Sequence, residues 1–171
     1  VTNEKNTRTL IAALLPPRTT LTHQANFVLR ARGTVRDEAY LLGFLSSLVT
    51  DWYTRRFVDG HMTLDIFNGI PIPEPTEGAI PDRVVRIAGL LGAHDDRYAD
   101  WAAELDVPVG TVKTSTERDD LIAELDALVG LLYGLNEDHI EHVFATFHRG
   151  WEYQKRLEAV LEHYREWKGK A

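Results

Sequence analysis

Arg8-Thr-Leu-Ile-Ala-Ala-Leu-Leu-Pro-Pro17 is the stretch on which the fold class turns. Apolar residues run without interruption from Leu10 and are closed by a proline pair that cannot continue a hydrogen-bonded ladder, so the stretch reads as a buried β-strand. Asn26-Phe-Val-Leu-Arg-Ala-Arg32 reads as a second strand, closed by Gly33, with Arg18 to His23 as a short polar connection. Two strands alone are marginal, so either a helix covers them or strands outside this sequence complete them. The expected fold is α+β and mostly helical: a small N-terminal β element with a covering helix, followed by a C-terminal helical bundle.

Working outward, the apolar spacing changes to three and four residues. From Arg36 to about Phe57, Leu41, Phe44, Leu45, Leu48, Val49 and Trp52 form one helical stripe. Thr34 is the expected N-cap, with Asp37 in the capping-box position. After Asp59-Gly60, Leu64 to Gly69 reads as a short turn of helix or strand. Ile70-Pro-Ile-Pro-Glu-Pro75 must follow an extended, polyproline-like path, and it divides the chain into residues 1–75 and 76–171. Beyond it the expectation is helical. Pro81 suits the first turn of a helix to about Leu91, and Asp96 to Leu105 is a shorter amphipathic piece. Val107 to Ser115 is a loop, and Thr116, with Asp119 in the box position, caps a strong helix stopped by Gly134. Asn136 caps the next helix, to about Phe147, and the last runs from Gly150 to about Lys168.

The 171 residues, 44% hydrophobic and 26% charged, are enough for one domain or two small ones with a real core. No cysteine is present, which excludes disulfides, thiolate metal sites and cysteine nucleophiles. No stretch approaches the roughly 20 apolar residues of a spanning helix, so no membrane role and a cytoplasmic setting are expected. The sequence begins at Val1 and its single methionine is Met62, so it is read as a piece of a longer protein. The formal charge of −7 is unevenly spread: residues 1–56 hold eight basic and four acidic side chains, a net +4, which leaves −11 for the rest. Seven of those eight cations are arginines, the side chain suited to bidentate phosphate or guanine contacts.

Common catalytic patterns fail on context. His139 and His142 are three apart rather than four, and with His148 they make no H-E-x-x-H site, so no metal is expected. Ser46-Ser47 lies within a helix rather than on a strand-to-helix elbow. Gly89-Leu-Leu-Gly92 lacks the glycine density and the Lys-Ser/Thr of a phosphate loop. The tryptophans at 52, 101, 151 and 167 read as packing anchors, with Arg55 and Arg56 expected to reach a partner.

Thr2-Asn-Glu4 followed by Arg8-Thr-Leu-Ile-Ala-Ala-Leu-Leu-Pro-Pro17 resembles the T-N-E-R-T-L-I-A-A-x-x-P stretch of large bacterial DNA methyltransferases of restriction and phage-defence systems, with Lys5-Asn-Thr7 interrupting it. Tyr40-Leu-Leu-Gly-Phe-Leu-Ser-Ser47 with Asp51-Trp-Tyr53, then Phe67-Asn68 and Ile70-Pro-Ile-Pro73, then Leu132-Tyr-Gly-Leu135 are similar to the family's later motifs, in the family's order. The resemblance implies a C-terminal piece of an adenine-N6 DNA methyltransferase, with part of the target-recognition region and the helices after it. Its partners would be double-stranded DNA and the parent's N-terminal catalytic domain. The family's Asn/Asp-Pro-Pro-Tyr/Phe motif is absent, because leucines precede Pro16-Pro17 and Arg18 follows it. No glycine-rich loop follows a strand either, so neither catalysis nor cofactor binding is expected in this piece; S-adenosylmethionine would serve the parent. The DNA-contact candidates are Arg8, Arg18, Gln24, Asn26, Arg30, Arg32, Arg55, Arg56 and Asn68, with Arg30 and Arg32 sharing one strand face. The alternative is a helical interaction module that docks on partner subunits without touching DNA.

Overall fold

The computed structural model describes residues 7–22 and 26–170. Thr2-Asn-Glu4 and the candidate Gln24 lie outside the described residues. The helices are α1 (Val35–Ser46), α2 (Leu48–Thr54), α3 (Leu64–Asn68), α4 (Ala79–Gly92), α5 (Ala99–Glu104), α6 (Ser115–Leu132), α7 (Glu137–Phe147) and α8 (Gln154–Lys168), with a 3-10 turn at Asp96–Tyr98. The expectation of a mostly helical chain is met. No helix among the described residues is long and apolar enough to cross a membrane.

The N-terminal β element is not there: among the described residues there is no strand. A strand points successive N–H groups to opposite sides. Here the consecutive amides of Thr9 and Leu10 both turn to the Asp51 carboxylate, at 3.1 and 2.8 Å. Beyond that bend the run keeps a two-residue alternation but finds no neighbouring backbone. Leu10, Ala12 and Leu14 pack on the helices, while Ile11 is 74% and Leu15 44% exposed. The second expected strand, residues 26–32, is exposed throughout. An apolar run is compatible with a ladder or with one-sided docking on helices, and only a partner strand decides for the ladder.

The helical body is built around α6. Residues 123–130 of this helix are buried on every side, because α4 covers one flank and α8 the other. Ala39, Tyr40 and Phe44 of α1, Val84, Ile87 and Ala88 of α4, and Leu125, Leu128 and Val129 of α6 form one core. Ala123, Ala127, Ile140, Phe144, Leu157 and Val160, with Leu48, form a second core across α6, α7 and α8. The first core draws on both sides of the 75/76 division. Gly43 allows α1 and α4 to approach, since a Cβ there would stand 2.7 Å from Val84 Cγ1.

Capping explains where the helices begin. Thr34 and Asp37 form the expected box at the start of α1. At α6 the box is Thr114 with Glu117, two residues before the expected Thr116 with Asp119. Both pairs have the right spacing, and Thr114 comes first. The helix ends as expected at Gly134, whose φ is 69°: its N–H donates to Leu131 O and that of Leu135 to Gly130 O, both at 2.9 Å. Asn136 and His139 cap α7 reciprocally, and α8 starts at Gln154 rather than Gly150. The Ile70-Pro-Ile-Pro73 run has no regular structure, yet Ile70 is buried against Leu10 and Leu45.

Candidate nucleic-acid interface

The helix expected from Arg36 to Phe57 is broken at Ser47, and the break organises the N-terminal third. Ser47 is fully buried; it ends α1 and caps α2, with its hydroxyl accepting from the Thr50 N–H. A break leaves carbonyls exposed at one helix end and N–H groups at the next, and buried ones need partners. Arg8 Nη2 donates to Ser46 O at 2.9 Å and to Ser47 O at 3.2 Å. Asp126 Oδ1 accepts the Leu48 N–H at 2.7 Å. A cation sits on the negative end of α1 and an anion on the positive end of α2, as the helix dipoles favour.

These two ions have ionic partners of their own. Asp51, fully buried in the first turn of α2, accepts Arg8 Nε in addition to the Thr9 and Leu10 amides. Asp126, 1% exposed in the middle of α6, accepts Arg156 Nη2 at 2.6 Å. The Asp126 charge holds the Arg156 guanidinium above its ordinary pKa, and Asp51 adds to the effect. The two ion pairs flank the helix break: Arg8 with Asp51 fastens residues 8–10 to the helical body, and Asp126 with Arg156 holds the start of α2. Sequence reasoning passed over Asp126 and Arg156, and took Asp51 only as part of the Asp51-Trp-Tyr53 motif. The signal was present: Asp51 falls three residues after Leu48 on the apolar stripe, and Asp126 lies between Leu125 and Ala127.

The DNA-contact candidates have different fates. Arg8 turns its Nε to Asp51 and its Nη2 to the carbonyls of residues 10, 46 and 47, so it serves the fold. Arg55 donates to Thr7 O at 3.2 Å and lies 4.8 Å from the centre of the Phe147 ring, so it too serves the fold. Arg56 stacks over Trp52 at 4.1 Å, while the Trp52 indole N–H donates to Thr146 Oγ1. Asn26 Nδ2 donates to Met62 O at 2.9 Å. Asn68 is exposed at the end of α3. Arg18 is exposed with φ at 63° and has no ionic partner among the described residues.

Arg30 and Arg32 remain together, although not for the reason expected. No strand imposes a shared face; both are exposed because the whole run 26–33 stands off the helices. Arg30 makes an ion pair with Glu38 at 3.4 Å and donates to Gly33 O, while Arg32 has no ionic partner among the described residues. Beside them Phe27, Val28 and Leu29 are 57%, 58% and 77% exposed. This run gathers Asn26, Arg30 and Arg32 with an exposed aromatic ring.

No metal centre is assembled: among the described residues no three potential ligands converge. His139 is occupied as the α7 cap, His142 lies edge-on to Trp52, and His148 Nδ1 is 3.4 Å from Arg55 Nη2. A cleft of about 330 Å³ is lined by residues of the 8–14 segment together with α1, α4 and α6. Its walls are largely aliphatic, and of its arginines Arg8 and Arg156 are already paired, which leaves Arg118. No protein-family model, curated protein or solved structure matches this chain.

Proposed function

We propose that the chain is a non-catalytic part of a site-specific adenine-N6 DNA methyltransferase, where it contributes to target recognition and positioning. The observation that carries this reading is the run 26–33, which leaves Phe27, Leu29, Arg30 and Arg32 in solvent. Guanidiniums beside exposed apolar side chains suit a nucleic-acid surface: the cations neutralise phosphates, and an apolar ring stacks on or wedges between bases. A duplex opened in this way eases the extrusion of a base toward a catalytic domain, where S-adenosylmethionine would supply the methyl group. The acidic helices beyond Pro75 would face away from DNA.

Duplex binding measured by fluorescence anisotropy over a salt series tests the reading. Affinity should fall steeply with salt, and replacing Arg18, Arg30 and Arg32 with alanine should flatten the slope by about one for each lost phosphate contact. Absence of duplex binding at low salt would reject autonomous recognition. The exposure of Ile11 and Leu15 favours a second reading, an interaction module that docks on partner subunits. Under it, association would survive the arginine replacements and be lost on Ile11→Asp.

A further inference from the structure

We propose that Asp51 and Arg8 are positioning residues for the exposed run 26–33, an inference that rests on the DNA-contact reading above. The described residues 7–22 and 26–33 contain no helix or strand, so regular hydrogen bonding does not set their course over the body. A few tethers do. At Leu14 the main-chain carbonyl accepts the Tyr98 hydroxyl at 3.2 Å. At Asn26 one amide bond reaches Met62 O, and at Arg30 a half-exposed ion pair reaches Glu38. Each of these is a single bond, solvated or neutral, and such bonds hold weakly.

The tether at residues 8–10 differs in kind. The Asp51 carboxylate has no solvent exposure and takes three donors, the Arg8 guanidinium and two consecutive amides. The same guanidinium closes the carbonyl end of α1. Charge-assisted bonds shielded from water are the strong ones, so this clasp is the strongest polar hold on the chain before it leaves the body. The other end of the excursion is fixed by the Thr34 and Asp37 cap of α1. Between two fixed ends the run 26–33 has a limited set of positions. With the clasp open, only the weaker holds at Thr7, Leu14, Asn26 and Arg30 remain short of Thr34.

Arg8 and Asp51 are thus expected to act on DNA binding without touching DNA. The absence of cysteine in the chain makes the test clean. Spin labels at Val28→Cys and Glu162→Cys on α8 report the distance between the run and the body by electron-electron resonance, with no DNA present. A narrow distribution is expected, broadened at least about twofold by Asp51→Asn, and also by Arg8→Gln should the first variant fold poorly, with amide exchange in α4, α6 and α8 unchanged. A double-mutant cycle follows on the duplex. Asp51→Asn should weaken binding about tenfold, and Arg30→Ala with Arg32→Ala should then cost less than in the parent chain.

A distribution at residue 28 that stays narrow in both variants would overturn the proposal. So would a broadened distribution with duplex affinity, and the cost of the two alanines, unchanged. A broadened distribution in a chain that binds no duplex would uphold the clasp and reject the DNA reading, so the two failures are distinguishable.

Discussion

Asp126 carries its two oxygens to a place where water does not reach, and each oxygen has its own duty. Oδ1 holds the Leu48 amide at the helix break and Oδ2 holds Arg156. Asp126→Ala leaves a buried amide and a largely covered guanidinium without their acceptor. A loss of about 3 kcal/mol is expected, read as a lower midpoint in urea denaturation. Tyr40 poses the opposite case. Its ring is packed against Phe44, but its buried hydroxyl has no partner among the described residues, and burial pushes its pKa up. Tyr40→Phe keeps the ring and removes the orphan group, so a gain of up to about 1 kcal/mol is expected in the same measurement.

At the scale of elements, what was readable in advance followed from the type of periodicity. Three-and-four spacing placed α1, α4, α6, α7 and α8, because a helix needs no partner to make its hydrogen bonds. Their caps were readable at Thr34 and Asn136, where one candidate stood alone, but not at α6, where Thr114 and Thr116 compete. The break at Ser47 was hidden because the apolar stripe continues through it. The two strands failed for the complementary reason: their bonds depend on a neighbour that sequence periodicity does not reveal.

Two element-level outcomes follow. The backbone N–H of Thr34 holds the Asp37 carboxyl below its ordinary pKa, and the N–H groups of Thr114 and then Lys113 do so for Glu117. Folded values below unfolded ones mean that these caps contribute fully above the unfolded carboxylate range of about pH 4, and that the contribution is lost as pH falls through the lower folded values. The thermal midpoint of Asp37→Ala with Glu117→Ala should therefore lie below that of the parent at pH 7 and converge with it in acid. At the α1–α4 contact, Gly43→Ala adds a methyl group that Val84 must give way to, and a loss of about 1–3 kcal/mol is expected in urea denaturation.

At the scale of the whole molecule, a +4 front and a −11 remainder coincide with two kinds of surface. Most acids of the late helices lie on a packed helical body, and several are already paired, as Glu124 is with Arg83 and Glu137 with Arg165. The front contains the two long segments without regular structure that lie on or stand off that body, residues 7–22 and 26–33. Of the nine candidate contacts, the sequence could not separate cations that hold the fold from those that face solvent, since both are arginines in the same third of the chain. Arg55→Ala should lower the thermal midpoint by removing its contacts to Thr7 O and the Phe147 ring. Arg32→Ala should leave the midpoint unchanged and reduce duplex affinity in anisotropy titrations.

The excursion fastened at residues 8–10 and again at Thr34 is, in polymer terms, a closed loop. The entropy of closing such a loop grows only with the logarithm of its length, so doubling the length costs about 0.6 kcal/mol. The helical body would therefore barely register insertions or deletions placed between Pro17 and Gly33. On the DNA-contact reading proposed above, the same chassis could carry loops of different length and lettering, and so different target preferences, while Asp51 and Thr34 keep their two ends in place.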